Sequence, residues 1–399
     1  MNIPSIDSSR RSFADHKIVV LLIDDQRIIG EAVKRMLMAE TDIEYHYTCD
    51  PNEALSMALK LQPTVILQDL VMPDIDGITL VRAFRSEVNT SQVPMIVLSS
   101  KEEPATKAEA FSAGANDYLV KLPDAVELIA RIRYHSAAYT RLLERDEAFV
   151  ALEESQKALA SELHEAADYV RSLLPELMTG PDIHTAWIFK PCSSLGGDAF
   201  GYYAIDEDHF AIFLLDVCNH GVGSALLSVS AMNALMGQTL VNVNFREPIA
   251  VMDSLNSVFL MEKHNNLYFT IWYGVWQKST RILRYSSGGH PPAILLTPDG
   301  GVESLRCRAM PIGTLAEMTF EVAQTEIPPG STLYVFSDGV YEIQKTSGQE
   351  MELDEFISIL KAPERQAGRK VDEVLETMVE LQGRSHFDDD VSLMELKLA

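Results

Sequence analysis

Cysteine is scarce in this 399-residue chain. Cys49, Cys192, Cys218 and Cys307 are widely scattered and form no CxxC pair. They read as reduced thiols of a cytosolic protein, not as a disulfide scaffold. Positive charge is also thin, with 33 Lys and Arg against 58 Asp and Glu, a net charge of -25. Phosphate backbones need a basic footprint, so nucleic acid is excluded as a partner. No run of about 18 apolar residues occurs, and residues 1–17 contain no apolar stretch of the secretory kind. The expectation is therefore a cytoplasmic chain with no membrane segment. Gly288-Gly289 is not followed by Gly-Lys-Ser/Thr, so no P-loop cradle is present, and there is no kinase signature. Internal repeats and low-complexity segments are lacking too.

What the chain has is carboxylate in ordered surroundings. An apolar fraction of 47% is that of a globular protein, not of a disordered acidic polymer. Its length calls for two domains and a connector. Asp198 in LGGDAFG, Asp216 in LLDVCNHG, Asp338 in FSDG and Asp389 in FDDDVS each adjoin a strand-like apolar run or its turn. Hard divalent ions take oxygen ligands of this kind. A second acidic set lies in LLIDDQ and ILQDLVMPDIDG, near the N-terminus.

Residues 17–136 alternate strand-like runs (18–23, 64–68, 94–98, 117–120) with helical stretches (28–39, 51–60, 106–113, 123–135). That rhythm predicts a parallel sheet covered by helices on both faces. Between 137 and 174 the seam positions 142, 145, 149, 152, 156, 159, 163, 166, 170 and 173 step by alternating threes and fours. We read a two-stranded coiled coil, hence a homodimer, which Pro175 should end. The other reading is one amphipathic helix packed on its own domains. Residues 181–399 hold strand-like runs at 184–190, 210–216, 268–275, 281–286, 293–296, 332–336 and 391–396. Helices are expected at 225–236, 249–262, 353–360 and 371–381, which suggests a layered mixed α/β fold.

Asp24 and Asp25 follow the first strand and Asp69 ends another, with Ser99 and Lys121 at neighbouring strand ends. Three such carboxylates suit one Mg²⁺, with Asp69 free to act as a phosphoryl acceptor. On these residues the region resembles the receiver domain of response regulators, a doubly wound five-stranded parallel fold. The resemblance implies that Asp24, Asp25 and Asp69 hold Mg²⁺ and that a cognate histidine kinase phosphorylates Asp69. It assigns Ser99 and Lys121 to the switch, together with Tyr118, the aromatic that turns inward on activation. Where the family commonly has Lys-Pro, this chain reads Lys121-Leu122-Pro123.

Gly196-Gly197-Asp198-Ala199-Phe200 looks like a GGDEF signature, but Ala199 occupies its required acidic position, so a cyclase is rejected. PCSSLGGDAFG, DVCNHGVGSALL, SSGGHPP, PIG, FSDGVYE and DDDVS, in that order, instead resemble the PPM-type (SpoIIE-like) serine/threonine phosphatases. That family implies a β-sandwich flanked by helices, with two Mn²⁺ or Mg²⁺ ions. Asp216 would bridge them, the Val217 carbonyl and Asp338 and Asp389 would support them, and Asp198 would act through water. Asp389 is preferred to Asp388 because D-D-V-S fits the family ending. Asn219 replaces the usual glycine, a residue type that tolerates left-handed backbone. His220 and His290 read either as loop-positioning, phosphate-proximal residues or as packed histidines. By resemblance, the substrate would be a phosphorylated STAS-type anti-sigma-factor antagonist. The alternative function is a non-catalytic, phospho-dependent adaptor that sequesters a regulatory protein.

Overall fold

The structure is a computed structural model; it describes residues 17–73, 75–363 and 369–399. The N-terminal stretch examined above for a secretory segment falls, up to residue 16, outside the described residues. Contacts divide the chain into two compact units, Met1–Lys157 and Ala158–Ala399.

In the first unit, β1 (Ile18–Ile23), β2 (Ile43–Thr48), β3 (Val65–Asp69), β4 (Met95–Ser99) and β5 (Asp117–Val120) form one sheet in the order β2-β1-β3-β4-β5. All four pairings are parallel. Successive side chains on a strand face opposite ways, and the burial follows that rule. Val20, Leu22, Val65 and Leu67 pack with α1 (Arg27–Leu37) and the start of α5 (Ala125–Ser172). Leu21, Ile23, Ile66 and Val97 pack with α2 (Ala54–Leu61), α3 (Gly77–Ser86) and α4 (Pro104–Ala113). The sheet order reverses between β1 and β3, and ligands of such sheets collect at that crevice. Asp24 and Asp69 stand at those two strand ends.

The last helix, α5, runs 48 residues without a break at 136/137, where the sequence reading placed a boundary. No glycine or proline occurs within it, and Pro123 and Pro175 flank it. The apolar spacing changes within one continuous helix. No helix among the described residues is long and apolar enough to cross a membrane.

The second unit holds two five-stranded antiparallel sheets. One has the order β13-β10-β9-β8-β7, with β7 (Asp198–Ala204), β8 (His209–Val217), β9 (Phe269–Gln277), β10 (Ile282–Gly288) and β13 (Ala323–Glu326). The other has the order β12-β11-β14-β15-β6, with β6 (Ile183–Lys190), β11 (Ala293–Leu296), β12 (Val302–Leu305), β14 (Ser331–Phe336) and β15 (Val391–Leu398). Their inner faces share one core, in which Ile212, Leu214 and Trp272 meet Leu333, Val335 and Met394. Helices α6 (Val222–Met236) and α7 (Pro248–Val258) pack on the first sheet. Helices α8 (Leu353–Lys361) and α9 (Lys370–Gln382) pack on the second, around Phe336 and Phe356. The result is a sandwich with helices outside both sheets.

Phe336 is buried and meets Phe356 edge-on, with ring centroids 4.8 Å apart. Phe336→Ala should destabilise this unit by about 3–5 kcal/mol. All three tryptophans, Trp187, Trp272 and Trp276, lie in it. Their fluorescence during urea unfolding should therefore report a lower midpoint for the variant.

Candidate functional site

Two acidic sites emerge, one in each unit. In the first, β1 and β3 carry Asp24 and Asp69 to adjoining ends, both buried. Asp24, Asp25 and Asp69 each offer a carboxylate oxygen within 4.8 Å of the others. Lys121 Nζ lies 2.7 Å from Asp24 Oδ2 and 2.8 Å from Asp69 Oδ2. Burial pushes the Asp24 carboxyl up despite Lys121. Burial pulls the Lys121 ammonium down, but Asp24 and Asp69 together outweigh it and hold its pKa above the usual value. Asp25 Oδ1 is buried without a hydrogen-bond partner. An orphaned carboxylate oxygen beside two more carboxylates fits a small divalent ion.

The other switch residues surround this cluster. Ser99, buried at the end of β4, accepts a hydrogen bond from Lys101 N at 3.2 Å. Tyr118 is buried, and its hydroxyl donates to the Lys101 carbonyl at 2.6 Å. The Lys121–Leu122 peptide is cis. One feature escaped the sequence reading: the Tyr47 hydroxyl of β2 donates to the Asp24 carbonyl at 2.8 Å.

In the second unit, antiparallel pairing sets Asp198 directly opposite Asp216. Asp338 follows β14 and Asp389 precedes β15, at the ends where those two strands pair. The groups feel one another. Burial first, then Asp338, Asp389 and Asp390, push the Asp216 carboxyl up to about 7. Burial, Asp389 and Glu342 push Asp338 up to about 6. Asp198 is wholly buried and is raised well above the usual range by burial and by Asp216 and Asp390. Asp389 is raised by burial, while the hydrogen bond from Asp390 N and the nearby His220 pull it back. Among the described residues no lysine or arginine forms an ion pair with these carboxylates, whereas Lys121 pairs with two at the first site.

Both oxygens of Asp198, together with Thr270 Oγ1 opposite Asp216 and Ser392 Oγ, are buried without hydrogen-bond partners. An all-oxygen donor set left unpaired and mutually repelling fits hard divalent ions. The carboxylates are more spread than those of the first unit: no three of them bring oxygens within 4.8 Å of one another among the described residues.

The backbone around the set is close-packed. A Cβ on Gly197 would lie 2.6 Å from the Val217 carbonyl oxygen, so that approach requires glycine. Asn219 sits at φ 65°, in the left-handed region. Ser224 Oγ donates to the Cys218 carbonyl at 3.0 Å, holding the same loop to the start of α6. His220 lies near enough to Asp389 to lower its carboxyl pKa. His290 is buried and neutral, pushed down to about 4 by burial, and its Nδ1 donates to the Pro291 carbonyl at 2.9 Å. It is a packed histidine. Cys192 is no nucleophile, its thiol pushed up to about 12 by burial and by Asp390.

The run Asp388-Asp389-Asp390 divides its work. Asp388 is exposed and paired with Arg384. Asp390 is buried beside the cluster and accepts backbone hydrogen bonds from across the site. Sequence reasoning missed Asp390. The triple aspartate was the visible signal, but the pattern match selected one member and left the neighbours without roles.

The raised pKa values fix a pH dependence. Asp216 and Asp338 are held above the ordinary carboxylate value of about 3.9, so between that value and about 7 and 6, respectively, the folded chain binds more protons than the unfolded one. Stability of the metal-free chain therefore falls as pH rises through that window. Melting of the EDTA-treated protein between pH 5 and 8 should show the decline, Asp216→Asn should flatten it, and Mn²⁺ should oppose it.

Comparison with known proteins agrees with both halves. A family model for the response regulator receiver domain matches residues 20–133. A second, for Stage II sporulation protein E (SpoIIE), matches residues 206–399. Phosphoserine phosphatase RsbP of Bacillus subtilis (strain 168) is 28% identical over 185 residues, 45% of this chain and 45% of its own length. Protein IcfG of Synechocystis sp. is 23% identical over 337 residues, 76% of this chain and 51% of its own length. The chain thus spans about half the length of these curated relatives. Among solved structures, the SiaA-PP2C domain of Pseudomonas aeruginosa superposes with a TM-score of 0.54 at 20% identity, covering 62% of this chain and 98% of that one. That likeness is one of fold. Residues 20–133 are a response regulator receiver domain, and residues 206–399 are a phosphatase domain of the SpoIIE (PPM) type.

Proposed function

We propose that the chain is a two-component response regulator whose output is dephosphorylation of phosphoserine or phosphothreonine on a protein. The observation that carries this reading is the convergence of Asp198, Asp216, Asp338 and Asp389, the first buried, the next two half-buried and the last exposed, with no lysine or arginine paired to them among the described residues. Asp216, Asp338, Asp389 and the Val217 carbonyl would hold two Mn²⁺ or Mg²⁺ ions, with Asp198 acting through water. When bound, such a pair supplies an acidified water and neutralises charge on the transferring phosphoryl group. The protein's own part is to keep the four carboxylates convergent and to supply the close glycine-lined backbone at 196–197.

At the other end of the chain, Asp69 would attack the phosphorus of a kinase phosphohistidine, and the N–P bond breaks as the imidazole leaves. Asp24 and Asp25 would share the Mg²⁺ with Asp69. Lys121, already within 2.8 Å of Asp69, is placed to pair with the new phosphoryl oxygens. The substrate would be a phosphorylated STAS-type anti-sigma-factor antagonist, and the chain would act in the cytoplasm. The name of the relative RsbP, a phosphoserine phosphatase, supports the substrate chemistry.

A dimer would carry the signal. The seam residues Phe149, Leu152 and Leu159 are 60%, 54% and 58% exposed along one chain. Apolar side chains at heptad spacing are covered when a second helix packs beside them. Sedimentation should report a dimer for the wild type and a monomer for the double variant Leu152→Asp, Leu159→Asp.

Phosphate release from a phosphoserine-bearing STAS-type protein, with Mn²⁺, is the direct assay. Asp216→Asn should lower kcat by roughly 10²–10³. Beryllofluoride should change the wild-type rate, and Asp69→Asn should abolish that change. No phosphate release by the wild type in either Mn²⁺ or Mg²⁺ would end the enzymatic reading.

A further inference from the structure

Asp390 is 3% exposed and unpaired with any cation among the described residues, yet it is not one of the carboxylates assigned to the ions. Its carboxylate is filled by backbone N–H groups of one segment, residues 192–198, and its own backbone binds two side chains near the other strand ends. Oδ1 accepts from Cys192 N at 2.8 Å, and Oδ2 accepts from Gly197 N at 2.5 Å and Asp198 N at 3.3 Å. Its carbonyl accepts from Ser337 Oγ at 3.1 Å, and its N–H donates to Asp389 Oδ1 at 2.8 Å. Ser337 Oγ in turn accepts from Ser392 N at 3.0 Å. A Cβ on Gly196 would collide with the Asp390 carboxylate, and one on Gly339 with the Asp390 carbonyl.

The consequence is a tie between the sheets. Asp390 adjoins β15 of the second sheet, whereas Gly197 and Asp198 open β7 of the first. Gly197 also accepts from Val217 N at 3.3 Å, so the tie extends to the end of β8. A buried carboxylate beside other carboxylates works against stability. Departures of that sort are expected where function requires them. Charge-assisted hydrogen bonds to N–H groups are strong and directional, which suits a residue that must fix a loop.

We propose that Asp390 is a positioning residue: it locks the 192–198 segment of one sheet onto the Ser337–Asp338 and Asp389 ends of the other, and so sets the spacing of the ion-holding carboxylates. This rests on the phosphatase reading, because it concerns the same carboxylate set. The informative variant is Asp390→Asn, which keeps the shape but turns one acceptor into a donor facing a backbone N–H. One side of the tie then has no acceptor, either Cys192 N or the Gly197 and Asp198 pair.

The test uses the full chain and Mn²⁺ itself. For Asp390→Asn, calorimetry should show Mn²⁺ affinity at the phosphatase site weakened by about 10–100-fold, the scale of lost supporting contacts at metal sites. Hydrogen exchange without metal should speed up at residues 192–198 and stay unchanged in the strands β9 and β14. On the phosphoprotein, kcat should fall while KM holds. Ser337→Ala, which loosens the other end of the tie, should repeat the exchange pattern in milder form and covers the case in which Asp390→Asn does not fold. Unchanged affinity and exchange in both variants would overturn the proposal. So would exchange that accelerates uniformly across the unit with a matching drop in the unfolding midpoint. A wild type that binds Mn²⁺ but releases no phosphate would overturn the phosphatase reading alone, leaving Asp390 to be judged on affinity and exchange.

Discussion

Carboxylates buried within reach of one another repel, and the low polarity around them removes the water that would screen the repulsion. Both sites are built around this constraint and meet it in different ways. In the receiver, Lys121 sits between Asp24 and Asp69 and supplies an internal cation, so the pocket is partly neutralised before any ion arrives. In the phosphatase domain no lysine or arginine among the described residues takes that place, and the metal-free site responds by raising its carboxyl pKa values instead. On the proposed reading, the first site would exchange Lys121's carboxylate contact for a phosphoryl group. In the second, bound divalent ions would bring the carboxylates to full ionisation at a lower pH.

Holding a repelling set together needs a frame stiffer than the repulsion. In the receiver the frame is the parallel sheet, whose β1 and β3 place Asp24 and Asp69 at adjoining ends by register alone. In the phosphatase domain the set is split between two sheets that share a core but no strand pairing. The sandwich core fixes their spacing coarsely. Hydrogen bonds at the site end, centred on Asp390, refine it.

How much of this was legible in the sequence depends on what each residue had to do. β3 and β4 are buried along their whole length, so they read as apolar runs, VIL and MIVL, that end in polar site residues. β2 is an edge strand with the sequence IEYHYT and only one fully buried residue, and such a strand leaves no apolar run to find. β12 (VESL) and β13 (AQTE), each at a sheet edge, escaped for the same reason. The strand-end aspartates were legible because carboxylates in glycine-containing turns are a local pattern. Asp390 and Tyr47 were not, because their partners are backbone groups far away along the chain, and a backbone partner carries no residue identity.

The receiver offers a physical route from its acidic pocket to α5. Lys101 receives both the Ser99 contact, through its N–H, and the Tyr118 hydroxyl, through its carbonyl. A phosphoryl group on Asp69 would compete for Ser99 and Lys121, and any shift of Ser99 pulls on the residue that holds Tyr118. Tyr118 neighbours Asp117 on β5, and Asp117 is bound at 2.7 Å by Arg131 and at 3.1 Å by His135, both on α5. Arg133 anchors the same turns of α5 to Asp42 at 2.6 Å. The opening turns of the helix are thus clamped from two sides, while the seam farther along it is bare. A helix that has no glycine or proline offers no ready hinge, so a change at the clamp would be passed along it to the seam, where the proposed dimer would register it. That is the kind of two-arrangement element a charge-driven switch requires.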